Sequence, residues 1–213
     1  MKKLSILGDS ISTYRGVSND ASANSELFYN LYHYDDPFPQ GRTYWGLLLT
    51  SLGLELCVNN SYSGGNLSGR ELEFSGVNRA RHLSRDDGCE PDIIIVFMGL
   101  NDLGRGVEAS AFAEDYERTL QIIAKKHPQA HVCCANIFDR SIFLHERAVA
   151  FNLAIEKAVE RAGKNFFIAD MFGSRMRGDF YYNNTMDGLH PDEDGMKIIA
   201  DVFEDAIKRH FAE

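Results

Sequence analysis

The sequence predicts an α/β protein, built as a three-layer α/β/α sandwich around a five-stranded parallel sheet. Five short apolar runs, rich in β-branched residues and bounded by Gly, Pro, Asn or Asp, are too short for typical helices and indicate strands. These runs alternate with longer segments of helical periodicity, as in parallel strands that are joined by crossover helices. The run at residues 93–98 is continuously apolar, which is typical of a central strand covered on both faces.

The same patterns locate the individual elements. Strands are predicted at residues 4–7, 54–58, 93–98, 131–137 and 166–169. Helices are predicted at residues 43–52, 67–83, 109–126, 146–162 and 192–211. In open sheets of this kind a ligand binds beyond the carboxyl ends of the strands, so the residues that follow each strand are the candidates for function.

The chain length of 213 residues is typical of one domain, and residues 1–213 are interpreted as a single domain with one interruption. The interruption is an insertion at about 14–42, which is long and rich in Asn, Asp, Ser and Gly. Residues 14–45 include eight aromatic residues, with Tyr14 and Trp45 as the first and the last, which is too apolar for a solvated linker. The insertion is expected either to cover the site as a lid or to pack on the sheet edge or at a subunit contact. Trp45 itself is expected in the core.

The formal net charge of −9 argues against a phosphate-backbone partner, which needs clustered Lys and Arg. No nucleic-acid partner is therefore expected. The apolar run at residues 4–7 is too short for an export signal, and no run is long enough to span a membrane. These patterns predict a cytoplasmic protein with no membrane partner, and they leave its oligomeric state open.

The four cysteines indicate buried thiols in a reducing compartment and not a disulfide framework, because Cys133 and Cys134 are adjacent in an apolar run. No second Cys or His pair stands at the spacing of zinc ligands. The acidic pair Asp35 and Asp36, near His33, has no partner at a useful spacing for another metal. No metal or cofactor is therefore predicted.

Two candidate functional groups follow the first two predicted strands. The first strand ends in Gly-Asp-Ser, which places the Ser10 hydroxyl at a junction between strand and loop. A serine at such a junction is more often a cap or turn residue than a nucleophile. The second strand leads into a glycine-rich loop, where the backbone N–H of Gly64, or alternatively Gly65, can approach a ligand closely. Taken alone, this loop is equally well a tight turn.

Two more candidates follow the third and the last predicted strands. Asn101 stands in Gly-Leu-Asn-Asp and offers a side-chain amide, although an Asn at this position is commonly a turn or cap residue. Near the C-terminus, Asp187 and His190 stand three residues apart in Asp-Gly-Leu-His-Pro. A carboxylate that accepts the ring Nδ1–H leaves Nε2 free to act as a base.

In this order the four segments resemble the motif blocks of the SGNH, or GDSL-like, hydrolase superfamily, from residue 5 to past residue 191. The first block reads Gly-Asp-Ser-Ile where many members have Leu in the fourth position, and the second block carries two glycines in tandem. The resemblance implies a flavodoxin-like sheet, which is the SGNH hydrolase fold. It also implies a catalytic triad of Ser10, Asp187 and His190.

The same resemblance implies an oxyanion hole formed by Ser10, Gly64 and Asn101, with Gly65 as the alternative to Gly64. The implied function is hydrolysis of a carboxylic ester through an acyl-enzyme on Ser10. A short acyl ester, with acetyl on a sugar as one form, is the preferred substrate. An acyltransferase, a thioesterase or a lysophospholipase would use the same triad. A non-catalytic carbohydrate-binding module is the alternative from a different class.

Other polar residues are interpreted as structural. Asp9 and Asp102 lie within the motif blocks but are expected to brace loops through hydrogen bonds to backbone groups. The remaining histidines have no motif context and are expected to be structural or exposed, namely His33, His82, His127, His131, His145 and His210.

Overall fold

The computed structural model of the chain describes residues 1–18 and 38–212. One parallel sheet is formed by β1 (Lys3–Gly8), β2 (Glu55–Ser61), β3 (Ile93–Phe97), β4 (His131–Ala135) and β5 (Phe166–Ala169). The strands lie in the order β2-β1-β3-β4-β5, which is the flavodoxin-like order. The predicted fold class and all five predicted strands are therefore confirmed.

The described residues form seven helices, namely α1 (Tyr44–Ser51), α2 (Gly76–Arg79), α3 (Leu100–Gly104), α4 (Ala109–Lys126), α5 (His145–Ala162), α6 (Gly178–Asn183) and α7 (Glu193–Ala212). Short 3-10 helices occur at Ser10–Ser12 and Gln40–Arg42. Within the described ranges, no helix combines the length and the apolar composition that crossing a membrane requires.

Two apolar cores lie on opposite faces of the sheet, because successive side chains of a strand point to opposite faces. Ile6 of β1 belongs to the core that includes Phe203 of α7. The next residue, Leu7, belongs to the other core, together with Phe112 of α4 and Phe151 of α5. Helices therefore cover both faces, which gives the predicted three layers.

The helix predicted at 67–83 is wrong, since only α2 within this segment is helical. The backbone N–H groups of Leu67 and Ser68 donate to the carboxylate of Asp102, at 2.7 and 2.9 Å. Gly69 has a φ of +104°, which a right-handed helix does not contain. The apolar residues at helical spacing therefore belong to an irregular segment that is tied to α3 by a side chain distant in sequence.

The insertion predicted at about 14–42 falls largely outside the described residues. At its two described ends, the Tyr14 hydroxyl donates to the Phe38 carbonyl at 3.0 Å, and Phe38 is buried. The Tyr14 ring packs edge-on against Trp45, with 6.1 Å between the ring centroids. Trp45 is fully buried, which confirms its predicted place in the core. The lid role stays a prediction.

Candidate active site

The carboxyl ends of neighbouring strands bring the predicted site residues to one edge of the sheet. Ser10 begins the short helix that follows β1, and Gly64 lies in the loop after β2. Asn101 lies in the first turn of α3, which follows β3, and His190 lies just before α7. Because β1 lies between β2 and β3, these segments surround the point where the strand order reverses, the usual ligand site of this fold.

The Ser10 hydroxyl, the His190 imidazole and the Asp187 carboxylate form a hydrogen-bonded chain. His190 Nε2 lies 3.0 Å from Ser10 Oγ, and His190 Nδ1 lies 2.7 Å from Asp187 Oδ2. Ser10 and His190 are both buried, each with 6% of its surface exposed. The structure thus joins side chains that stand 180 residues apart in the sequence, in the arrangement that the motifs predict.

The local sequence around Asp187 holds its carboxylate in place. One oxygen, Oδ1, accepts the backbone N–H groups of Leu189 and His190 at 2.9 and 2.7 Å, and this leaves Oδ2 for the ring. Gly188 has a φ of +82°, a conformation that favours glycine and that folds the chain back toward the carboxylate. Burial alone would raise the pKa of Asp187, but the hydrogen bonds from His190 and Leu189 outweigh it, so the pKa is lowered. Asp187 therefore remains an anion beside the imidazole.

The loop that carries His190 is anchored to α6. The buried Tyr181 hydroxyl donates to the carbonyl of Leu189 at 2.7 Å, one residue before the histidine. Within the loop, the Met186 N–H donates to the His190 carbonyl at 2.8 Å. These bonds limit the motion of the imidazole relative to Ser10.

Asp9 shapes the backbone around the candidate nucleophile, as predicted. Its carboxylate accepts the N–H of Ile11 at 3.0 Å and thereby caps the short helix in which Ser10 is the first residue. Burial of the side chain raises the pKa of Asp9 to about 7, although the Ile11 N–H and the charge of Arg79 both favour the ionised form. Asp9 is therefore a brace for the backbone at Ser10, and its pKa is raised by burial.

The backbone N–H groups of the predicted oxyanion hole differ in whether they already have an acceptor. Among the described residues, the N–H groups of Ser10 and Gly64 have no hydrogen-bond acceptor. The N–H of Gly65, by contrast, donates to the carbonyl of Tyr62 at 3.0 Å. This geometry favours Gly64 over Gly65 as the donor, and the φ of +70° at Gly64 is one that a glycine adopts without strain.

Asn101 differs from these two donors because its amide already has acceptors. Its Nδ2 donates to the Gly65 carbonyl at 3.1 Å and lies 3.4 Å from Asp9 Oδ2. A bond of 3.4 Å is long for an N–H donor, and hence weak. The Gly65 contact orients the amide, and the proton that points toward Asp9 is the one most easily given to another acceptor.

Asp102 joins α3 to the segment that follows the glycine loop. It is fully buried, and its carboxylate accepts the Leu67 and Ser68 N–H groups described above. The pKa of Asp102 is raised by burial, although those two backbone donors act against the shift. The predicted bracing role is confirmed.

Two arginines that carry no motif also shape the site. Arg79 is buried and donates to the carbonyls of Gly8 and Phe74, at 3.0 and 2.8 Å, so it fixes the end of β1. Arg105 donates to the Gly64 carbonyl at 2.6 Å and thereby orients the glycine loop from α3. Sequence reasoning missed both, because each acts on backbone groups that are remote in sequence.

The other described histidines lie outside this chain of hydrogen bonds. His127 contacts Glu90, His145 contacts Asp139, and His131 contacts His210, with nitrogen-to-partner distances of 2.9, 3.0 and 2.8 Å. His82 is exposed, and His33 lies outside the described residues. Within the described ranges, no three His, Cys, Asp or Glu side chains are grouped as metal ligands.

A small recess of about 10 Å³, the space of about one water molecule, lies near the backbone of the candidate nucleophile. Asp9 and Ile11, the two neighbours of Ser10 in sequence, both line it. The remaining lining residues are mostly apolar and come from the ends of β3 and β4, namely Phe97, Met98, Leu100, Asn136, Ile137 and Phe138. The recess is thus a small and largely apolar space at the edge where the hydroxyl lies.

An imidazole can activate a serine as a nucleophile when it is hydrogen-bonded to the serine hydroxyl on one side and to a carboxylate on the other. Ser10, His190 and Asp187 have this arrangement. The sequence matches the model of the GDSL-like Lipase/Acylhydrolase family over residues 6–198. The chain belongs to this family. As a GDSL-like acylhydrolase it is an enzyme that acts on ester bonds. No curated protein sequence matches this GDSL-like acylhydrolase significantly.

Solved structures support the same fold for this GDSL-like acylhydrolase. A protein described as a GDSL-like lipase from Bacteroides ovatus shares 20% identity with a TM-score of 0.73, over 98% of this chain and 99% of the other. The carbohydrate esterase family 2 enzyme of Corynascus thermopiles shares 19% identity with a TM-score of 0.66, over 100% and 67% of the two chains. The psychrotrophic esterase EstA from Pseudoalteromonas shares 17% identity with a TM-score of 0.64, over the full length of both.

Proposed function

We propose that this GDSL-like acylhydrolase is a serine esterase in which Ser10 is the nucleophile, His190 the general base and Asp187 the residue that orients the histidine. The observation that carries the proposal is the 3.0 Å contact between Ser10 Oγ and His190 Nε2, together with the 2.7 Å contact on the far side of the ring. The family match over residues 6–198 includes all three residues and supports a single domain over 1–213.

The proposed reaction has two halves. His190 Nε2 removes the Ser10 proton as Oγ attacks the acyl carbon of the ester, and the imidazolium then gives that proton to the leaving alcohol. Asp187 holds the Nδ1–H and stabilises the imidazolium without taking the proton. Water next attacks the acyl-serine with His190 again as base, which releases the acid and restores the hydroxyl.

The negative oxygen of each tetrahedral intermediate needs donors that are already in place. The N–H groups of Ser10 and Gly64 are proposed for this role because neither has an acceptor among the described residues. Asn101 is proposed as the third donor, through the amide proton that makes only the long contact to Asp9. Arg105 supports Gly64 by holding its carbonyl.

The proposed substrate is a small ester with a short acyl group, and acetyl on a sugar is the preferred form. The recess near Ser10 has a volume of about 10 Å³, the space of about one water molecule, so the length of the acyl chain is proposed from the family resemblance and is decided by the ester panel below. The sugar is supported by the fold shared with a carbohydrate esterase. No nucleic acid is proposed as a partner.

Three other acyl-transfer activities would use the same residues, namely acyl transfer to an alcohol, thioester hydrolysis and lysophospholipid hydrolysis. Acyl transfer differs from ester hydrolysis only in the acceptor of the second half-reaction, so product analysis with added alcohols or sugars separates the two. A non-catalytic sugar-binding module is disfavoured, because sugar binding does not require a serine hydroxyl that is hydrogen-bonded to an imidazole.

The test is hydrolysis of a panel of acetyl, butyryl and octanoyl esters by the purified protein and by Ser10→Ala. Removal of the nucleophile is expected to lower turnover by more than about a thousandfold. Ser51→Ala, which changes an exposed serine of α1, is the matched control and should hydrolyse the panel as the unaltered protein does. Normal turnover by a folded Ser10→Ala variant would contradict the proposal, and a preference for octanoyl esters would contradict the short acyl group.

A further inference from the structure

Two cysteines outside the active site meet at the open side of the sheet. Cys57 lies in β2, where the register with β1 shifts, since Leu4 pairs with Leu56 and Ser5 pairs with Val58. Cys57 is thus the extra residue of a β-bulge and is paired with no residue of β1 in the strand register. Cys89 lies in the segment between α2 and β3, 32 residues further along the chain.

The two thiols are in direct contact. Their Sγ atoms lie 2.8 Å apart, and Cys57 Sγ also lies 3.2 Å from the Cys89 carbonyl oxygen. Both residues are buried, with 5% and 7% of their surfaces exposed, and with Val58 they form a small apolar cluster separate from the two main cores. A disulfide needs the sulfur atoms at about 2.05 Å, so less than one ångström of movement joins them.

The backbone around Cys89 keeps the thiols together. The Arg85 N–H donates to the Cys89 carbonyl, and the Cys89 N–H donates to Asp87 Oδ1, each at 3.0 Å. Arg85 also forms an ion pair with Asp87. Both the N–H and the carbonyl of Cys89 are therefore fixed by hydrogen bonds. Its sulfur atom lies against that of Cys57 in the bulge.

We propose that Cys57 and Cys89 are a dithiol site that closes to an intrachain disulfide when a small disulfide, such as oxidised glutathione, is present. The thiolate of one cysteine attacks the reagent and forms a mixed disulfide, with release of one reagent thiol. The second cysteine then attacks the first sulfur and releases the other reagent thiol. The two S–H bonds break and one S–S bond forms, and the two protons and two electrons pass to the reagent.

The other two cysteines do not share this property. Cys133 and Cys134 are neighbours on β4 and lie in the cores on opposite faces of the sheet.

Burial, followed by the contact with Cys89, raises the pKa of Cys57 to about 11, so little thiolate exists near neutral pH. Closure in the folded protein is therefore slow at neutral pH and faster in alkaline solution.

The cross-link would enclose the segment that carries Gly64 and Arg79. Tying its two ends restricts the unfolded chain, which stabilises the folded state. The bond lies at the bulge of β2 and touches neither Ser10 nor His190, so ester hydrolysis should be unaffected.

The experiment incubates the folded protein with oxidised glutathione at mildly alkaline pH, removes the reagent, and then unfolds the chain in denaturant with an alkylating reagent that blocks all remaining thiols. Peptide mass spectrometry without reduction is expected to find residues 57 and 89 in one cross-linked peptide. The melting temperature should rise by roughly 5–15 °C relative to the reduced protein. Cys57→Ser should show no such rise, whereas Cys133→Ala, which keeps the pair, should show it in full.

A second arm refolds the unfolded chain in the same reagent, where burial no longer protects the thiols. Two alkylated cysteines, at 133 and 134, are expected after refolding. Four alkylated cysteines in both arms would overturn the proposal, as would a disulfide that joins any other pair. An unchanged melting temperature after cross-linking would overturn the stabilising role.

Discussion

Asn101 is the one proposed oxyanion donor that would act through its side chain, and its amide contacts both Gly65 and Asp9. In the transition state one of its protons must turn from Asp9 to the substrate oxygen. A donor that strengthens its bond only in the transition state affects turnover more than substrate binding.

Asn101→Ala is therefore expected to lower turnover by about 10²–10³ while KM changes little, because loss of one oxyanion donor typically has this effect. Initial-rate kinetics on an acetyl ester measure both parameters, and thermal unfolding controls for the fold. Turnover within about threefold of the unaltered protein would remove Asn101 from the oxyanion hole.

The raised pKa of Asp9 leads to a prediction about the stability of the protein. Its pKa in the folded protein is about 7, against 3.8 for an exposed aspartate, so between these values the folded state keeps a proton that the unfolded state loses. The contribution of Asp9 to the free energy of unfolding is thus highest near pH 4 and falls as the pH rises to 7. Asp9→Asn removes this dependence.

Urea unfolding of the unaltered protein and of Asp9→Asn, at several pH values, tests this expectation. The free energy of unfolding of the variant, minus that of the unaltered protein, should increase between pH 4 and 7 by up to roughly 4 kcal/mol. A difference that stays constant with pH would show that Asp9 titrates as an exposed carboxyl does.

Individual site residues were predictable from the sequence where a short motif carries them. Ser10 and His190 lie in such motifs, and the structure places them in contact. Arg79 and Arg105 were not predictable, since a guanidinium that binds carbonyl groups leaves no local pattern. The choice between Gly64 and Gly65 also needed the structure, because it depends on which N–H is already bonded.

At the scale of elements, the connection between α6 and α7 holds the histidine. Tyr181 of α6 donates to the Leu189 carbonyl, and without this bond the loop before His190 loses its hydrogen bond to α6. The neighbouring Tyr182 is 46% exposed, so it makes a suitable comparison.

Tyr181→Phe is expected to lower turnover by roughly tenfold with KM little changed, because His190 is then held less firmly against Ser10. Tyr182→Phe, the control, should behave as the unaltered protein does. Equal kinetics for the two variants would mean that the hydroxyl of Tyr181 does not position the histidine.

The strands and long helices were predictable because their patterns are continuous. The bounds of α4 match the prediction, α5 differs by one residue at its start, and α1 and α7 differ by one residue at each end. The helix predicted at 67–83 does not form over its length, because the Asp102 carboxylate binds the backbone N–H of Leu67 and because Gly69 has a positive φ, and neither feature shows in the apolar spacing. The short helices α3 and α6 were missed, since five or six residues give too little periodicity.

For the whole molecule, the prediction of a parallel sheet also predicts where the site lies. Parallel strands place their carboxyl ends at one edge, and the order β2-β1-β3-β4-β5 then brings the segments after β1, β2 and β3 side by side. The return of His190 to the same edge depends on the path of the last crossover, which residue patterns alone do not determine. The location within the cell and the role of the insertion stay predictions.

The most direct test of the account is covalent labelling of the folded protein with a fluorophosphonate, which reacts with activated serines. One molecule of probe is expected to attach to each chain, and the label should be found on Ser10 in the peptide map. Ser10→Ala should take up no label, and His190→Ala should take it up far more slowly. Stoichiometric labelling that persists in Ser10→Ala, or a label mapped to another serine, would contradict the account.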